Sequence, residues 1–191
     1  MRFEKGHKAE TRRHILSVAS KRFRREGISA AGIAGIMGEA GLTNGAFYPH
    51  FESKEELVRE AVSSAISERQ HRVEDILRAG GGLEDIIRTY LSREHLKTPS
   101  CGCPSAALLP EVAREPMATR QAYEEGIQNY LSVVSALLPK ADPAVTARRA
   151  TAIFALLAGT LQYARTVTDA AAADQILESG VEAALLLAGA P

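Results

Sequence analysis

The chain has 191 residues, 46% of them hydrophobic, and a formal net charge of zero. That length holds one ordinary domain or two small ones around a substantial core, and the hydrophobic content excludes an intrinsically disordered class. The N-terminus is polar and shows no signal peptide. The longest apolar run, near Ala152 to Leu161, falls short of the roughly 18 residues of a membrane span, so a soluble cytoplasmic protein without a membrane partner is expected.

A first helix is expected from about Lys8 to Glu26, with Ile15, Ala19 and Phe23 facing inward, a basic face outside and Gly27 ending it. Ile33, Ile36, Met37 and Ala40 give a second, short apolar face. Gly41 then stops that helix by accepting a left-handed backbone, and Leu42 plugs into the core. Thr43 is read as the cap of a third helix, a stub of about two turns carrying Asn44, Gly45, Ala46, Phe47, Tyr48 and His50, which Pro49 discourages from extending. Ser53 and Glu56 form an S-x-x-E capping box for the next helix, with Phe51 and Leu57 as a hydrophobic staple. That helix continues through Ile66, Val73 and Leu77 to the glycines at 80–82, long enough to join two lobes.

Further helices are expected from Leu83 to about Leu96, from Pro104 to about Arg114 with a kink or split at Pro110, and from Pro116 to about Leu138. Asp142 with Pro143 caps another that runs to about Val167. Asp174 caps the last, after an Ala-rich turn at Ala170 to Ala173. No segment sustains strand alternation, so the fold reads as all-α with about nine helices: a helix-turn-helix domain over residues 1–52 and a helical domain over 53–191.

A stub as short as the third helix cannot stabilise itself in water, so something outside the protein must reward its exposure, and a major groove is one such receptor. Over Ala40-Gly41-Leu42-Thr43-Asn44-Gly45-Ala46-Phe47-Tyr48-Pro49-His50-Phe51-Glu52-Ser53-Lys54-Glu55-Glu56-Leu57 the sequence closely resembles the TetR family of bacterial regulators. The resemblance covers about the first third of the chain. It departs from the family at Ala30, Ala31 and Gly32, where Ser or Thr is frequent, and at Pro49. The charge agrees with it: residues 1–50 hold nine Lys/Arg against four Asp/Glu, leaving 14 against 19 in the remainder, and Arg2, Lys5, Lys8, Arg12, Arg13, Lys21, Arg22, Arg24 and Arg25 form the electrostatic footprint.

Asn44 offers an amide donor and acceptor for an adenine edge, and Ala46 a methyl for thymine. The resemblance implies backbone-phosphate contacts from Thr43, Tyr48, His50 and Lys54. Gly45 reads as a close backbone approach, Phe47 and Phe51 as core, and His50 alternatively as a buried structural histidine. The last two helices are apolar on more than one face, with Ile153, Phe154, Leu156, Leu157 and Leu161 on one and Ile176, Val181, Leu185, Leu186 and Leu187 on the other. The resemblance implies that two copies meet there as a four-helix bundle, which lets a pair of reading heads bind a double-stranded palindromic operator with half-sites about 34–36 Å apart or a multiple.

An unidentified small-molecule effector is expected in an apolar pocket lined by Ile66, Tyr90, Leu91, Leu108, Tyr123, Ile127 and Tyr130. Cys101-Gly102-Cys103-Pro104, ahead of a helix N-terminus, suggests thiol or electrophile sensing as an alternative; with His95 the two cysteines give only three ligands, so neither a metal nor a cofactor is expected. No Gly-rich phosphate loop, H-E-x-x-H or G-x-S-x-G motif points to an enzyme. The competing class is a helical-bundle enzyme or carrier for a hydrophobic molecule. A ligand-responsive DNA-binding regulator, a repressor by the resemblance, is the leading expectation.

Overall fold

A computed structural model describes the backbone of residues 2–189 and the side chains of residues 6–189; within them the chain is all-α and has no strand. The helices are α1 (Arg2–Glu26), α2 (Ile33–Glu39), α3 (Lys54–Arg78), α4 (Leu83–Tyr90), α5 (Arg93–Lys97), α6 (Ser105–Val112), α7 (Met117–Leu137), α8 (Pro143–Ala164) and α9 (Ala170–Ala188), with 3₁₀ turns at Asn44–Ala46 and Pro99–Cys101. Gly27 (φ 91°) and Gly41 (φ 71°) end α1 and α2 in the left-handed region, as their positions demand. The Ser53 hydroxyl caps α3 by accepting the Glu56 N–H at 3.1 Å, and the Glu56 carboxylate reaches one residue further back than a capping box requires, to the Glu52 N–H at 2.6 Å. Asp142 caps α8 through the Ala144 N–H at 2.8 Å.

Several expected boundaries move for identifiable reasons. The first helix starts at Arg2 rather than Lys8. The third helix is one 3₁₀ turn, Asn44–Ala46, followed by turns to His50, and Thr43 precedes it without a side-chain capping bond. The expected helix from Leu83 to Leu96 breaks at Leu91, because Ser92 caps a new one through the His95 N–H. Asp169, not Asp174, caps α9, so the Ala-rich stretch is its first turn, and Asp174 instead pairs with Arg93. Pro110 does not split α6. The Ala106 carbonyl, which Pro110 cannot bond, receives the Arg165 guanidinium at 2.9 Å instead.

Two cores share α3. The first gathers Ile15, Ala19 and Phe23 of α1, Ile36 and Met37 of α2, Phe47 and Phe51, Leu57 to Ile66 of α3, and Leu108 and Val112 of α6. The second gathers Val73 of α3 with Ile87, Tyr90, Tyr130, Leu157, Leu161 and Val181 from α4, α7, α8 and α9. The first core therefore crosses residue 52 and closes only with pieces of α3 and α6. On the other side, α8 and α9 pack closely enough that a Cβ on Gly180 would lie 2.5 Å from Thr160 Cγ2.

Composition and length alone would let α8 cross a membrane: its best window has mean hydropathy 1.2. Ile153, Leu157, Leu161 and Ala164 are nevertheless buried against the other helices. Only 28% of that window is buried within the chain, which leaves an outer face that, beyond Arg148 and Arg149, carries no charge from Ala150 to Ala164.

Candidate nucleic-acid interface

The turn at Asn44–Ala46 is held from beneath. Phe47 is 0% and Phe51 1% exposed, their rings stack at 5.7 Å, and both sit in the first core. Held this way, the turn directs its other side chains outward: Thr43, Asn44 and Gly45 are exposed, and Tyr48 is 68% exposed. Thr43 keeps its hydroxyl free because it caps nothing. Apart from its own stretch of chain, no atom of the described residues lies within 4 Å of a Cβ built on Gly45, so the close approach expected there has no partner among them. Ala46 is half-buried against the first core.

His50 and Lys54 are more committed to the fold. The His50 carbonyl accepts from Arg12 Nε at 3.1 Å, and its Nδ1 is enclosed without a partner. Burial, helped by nearby Lys8 and Arg12, lowers the His50 pKa. Lys54 Nζ donates to the Ile28 carbonyl at 2.8 Å, tying α3 to the α1–α2 turn.

The basic footprint is smaller than the charge count suggests. Arg12 binds Glu60 at 2.6 Å and lies over the Phe51 ring; Arg22 donates to the Gly35 carbonyl at 2.6 Å; Arg25 pairs with Glu39 at 2.9 Å. Arg24 is buried and bridges Glu68 and the Gly102 carbonyl. These four arginines brace the head rather than stand free for phosphate. Lys8, Arg13 and Lys21 remain exposed, while the side chains of Arg2 and Lys5 lie outside the described residues. Lys8, one of the expected footprint residues, lies with His7 and Thr11 along an open groove whose opposite wall is Leu42, Pro49 and His50, so the start of α1 adds two donors beside the turn, His7 and Thr11, that sequence reading did not assign.

Glu111 was also missed. From α6 its carboxylate accepts the Ile28 and Ser29 N–H groups at 2.7 and 3.1 Å, clasping the α1–α2 turn from the second lobe. Head and body are thus tied at several points, among them Glu111 to Ile28, Arg24 to Gly102 and Glu68, Arg12 to Glu60, and Lys54 to Ile28.

The expected effector residues do not share one cavity. Ile66, Leu108, Tyr123 and Ile127 belong to or pack on the first core, and Tyr90, Leu91 and Tyr130 belong to the second. All are at least half-buried, and the Tyr123 hydroxyl bonds Ser105 at 2.7 Å. Where the cores meet, a narrow void lined by Ile66, Arg69, Cys103, Pro104, Ile127, Tyr130 and Phe154 has about 10 Å³, room for at most one water. Sequence periodicity marks these positions as buried but cannot say which core each one joins.

Cys101 is exposed and Cys103 buried, and they are not bonded to each other. Both His95 ring nitrogens are occupied: Nε2 accepts from the Cys103 N–H at 2.8 Å, which makes Nδ1 the donor to the Tyr90 carbonyl at 2.7 Å. Burial is the main cause that pushes the His95 pKa down to about 4. A histidine depressed in the folded state contributes stability that is complete above its unfolded pKa of roughly 6.5 and is lost as pH falls through about 4. Chemical denaturation of wild type should therefore lose about 3 kcal/mol more than a His95→Gln variant between those limits. Parallel pH profiles for the two proteins would refute this.

The sequence model for bacterial regulatory proteins of the tetR family matches residues 15–61. Over 51 residues the chain is 45% identical to the HTH-type transcriptional regulator AcrR of Shigella flexneri, covering 27% of this chain and 24% of that one. Over 78 residues it is 35% identical to the HTH-type transcriptional regulator TtgR of Pseudomonas putida, covering 41% and 35%. The chain thus spans about a quarter to a third of the length of these curated relatives. The whole fold superposes on a TetR-family regulator of Cytophaga hutchinsonii with TM-score 0.77 and 20% identity, covering 96% of both chains. Reduced E. coli NemR gives TM-score 0.75 at 20% identity, covering 92% of this chain and 95% of that one. Residues 15–61 thus match the model of the tetR-family regulatory proteins, and the chain as a whole has the all-helical fold of the solved TetR-family regulators on which it superposes.

Proposed function

We propose that this chain is a ligand-responsive transcriptional regulator, a repressor, that binds a palindromic operator as a homodimer and releases it when a small molecule enters the helical lobe. The observation that carries the reading is the exposure of Thr43, Asn44 and Tyr48 on a turn whose own backbone is held by two buried phenylalanines. Base contacts fall to Asn44 and Ala46. Phosphate contacts fall to Thr43, Tyr48 and His50, with Lys8 and the remaining donors of Lys54 beside them.

The dimer rests on the outer face of α8 and α9. From Ala150 to Ala164 there is no charged residue, and Ala152, Ala155, Gly159 and Tyr163 stand exposed in one stripe beside half-buried Leu156. On α9, Leu186 is 76% and Leu187 40% exposed. A second copy covers such a stripe through a two-fold axis, helix on helix. Effector entry would act through α3, whose N-terminal half belongs to the head core and whose C-terminal half to the body core, and through the ties at Gly102 and Glu111.

Selecting bound duplexes from a random pool, followed by titration at several salt concentrations, tests the reading. Two-fold symmetric sites and an affinity that falls steeply with salt are expected. Asymmetric sites or a flat salt response would overturn it. Because Asn44 and Tyr48 are exposed, Asn44→Ala should cost about 1–3 kcal/mol of specific binding at one base position, and Tyr48→Ala should weaken all sequences alike. Both variants should keep the wild-type melting curve.

A further inference from the structure

Among the described residues five buried side-chain polar atoms lack a hydrogen-bond partner: Nε and Nη2 of Arg69, the hydroxyls of Tyr90 and Tyr130, and His50 Nδ1. The first four gather in the body, at the level of α3 where the two cores meet. Arg69 lies between Ile66, which packs in the head core, and Val73, which packs in the body core. It is 5% exposed, its guanidinium lies 4.6 Å over the Tyr90 ring, and it lines the same void as Tyr130 and Phe154.

No carboxylate among the described residues lies within ion-pairing distance of Arg69. The neighbouring Glu68 is taken by Arg24 at 3.1 Å. On its other side a polar cleft holds Arg72, Thr89, Ser92, Glu94, His95 and Thr98, but Glu94 makes no ion pair with it. His95 is neutral there, with both ring nitrogens engaged. A buried cation without a counter-charge is costly, and it persists where something else neutralises it. The two phenols beside it are held protonated by burial, so they are donors too. Two guanidinium nitrogens that only donate and two phenol hydroxyls that are able to donate, walled by Ile66, Ile127, Pro104 and Phe154, suit an anion on an apolar body.

We infer that Arg69 is the head-group anchor for an amphipathic anion, a molecule with one carboxylate-sized oxyanion and an apolar body, which the Tyr90 and Tyr130 hydroxyls help to hold. This rests on the effector reading above and gives it a ligand class. The apolar body enters the narrow space shared by Tyr130 and Phe154. A second crevice, lined by Leu83, Ile86, Ile153 and Leu157 and without room for a water as it stands, borders the same two rings, and rotation of half-buried Phe154 would open it toward the first. The ligand thereby sits where α3 passes from one core to the other, and its entry wedges α7 from α3.

The test uses head-group series on fixed bodies: decanoate, 1-decanol and decylammonium, then 4-phenylbutanoate, 4-phenylbutanol and 4-phenylbutylammonium. Each is titrated into the full chain by calorimetry and thermal shift. In at least one series the carboxylate is expected to bind at least about tenfold tighter than its alcohol, with the ammonium weakest. Arg69→Met should erase that preference and Arg69→Lys restore part of it. If neither carboxylate exceeds its alcohol, the inference falls on the wild-type protein alone. A preference that survives in Arg69→Met overturns it as well. Operator release is measured in parallel. Arg69-dependent carboxylate binding without release keeps the anion site and removes its effector role; release by the alcohol as readily as by the carboxylate does the reverse.

Discussion

A carboxylate placed on the outer stripe of α8, as in Ala155→Glu, should convert the protein from dimer to monomer and lower operator affinity by a factor on the order of 10²–10⁴. That range is the advantage of two linked binding events over one. Ala155 is exposed in the single chain, so the substitution removes no packing from either core. It puts a charge into a face that has none between Ala150 and Ala164, and a two-fold axis would bring the carboxylate near its own copy. Light scattering reports the mass, and a gel-shift titration reports whether half-sites alone are still bound. A variant that remains dimeric with full affinity would show that the two reading heads are brought together by some other surface.

Phe47→Ala should be the most damaging single change in the head. The side chain is fully buried, meets Tyr48 edge-on at 5.4 Å and stacks on Phe51. Truncating a buried Phe costs about 3–5 kcal/mol. The first core is built from α1, α2, α3 and α6 together, so urea denaturation should show the loss in the main transition rather than in a separate, softer one. Thr43→Ala is the control four positions away. Its hydroxyl caps nothing, so stability should change by less than about 0.5 kcal/mol while DNA affinity falls. An equal loss of stability in both variants would mean that Thr43 holds the turn after all.

Features that depend on neighbours along the chain were legible in the sequence. Gly41 must end α2 because its conformation suits few other residues, Ser53 and Asp142 cap helices within three residues, and Phe47 and Phe51 are apolar at spacings that place them together. The arginines of α1 were not legible in the same way. Their partners Glu60, Glu39, Glu68 and the Gly102 carbonyl are brought in by tertiary folding, so a solvated basic face and a braced one look identical in sequence. Pro110 fails as a breaker for a related reason: Arg165, more than fifty residues later, satisfies the carbonyl it leaves open. Asp169 and Asp174 were equally good caps by type, and the geometry of Arg93 assigned one to the helix and the other to an ion pair. The effector residues show the same limit. Tyr90 and Tyr130 were marked as buried aromatics, while Arg69, the charge between the two cores, falls at the inward spacing of Ile66 and Val73 but is a residue type that ordinarily reads as a solvated face.

The clasp of Glu111 on the Ile28 and Ser29 amides bears on how such proteins can be recombined. A graft of residues 1–52 onto a different helical body would leave behind the carboxylate that neutralises the partial positive charge of those amides, and with it the Leu57 to Ile66 segment that floors the aromatic pair. The portable specificity cassette is therefore discontinuous: the first sixty-odd residues together with a matched acid on α6.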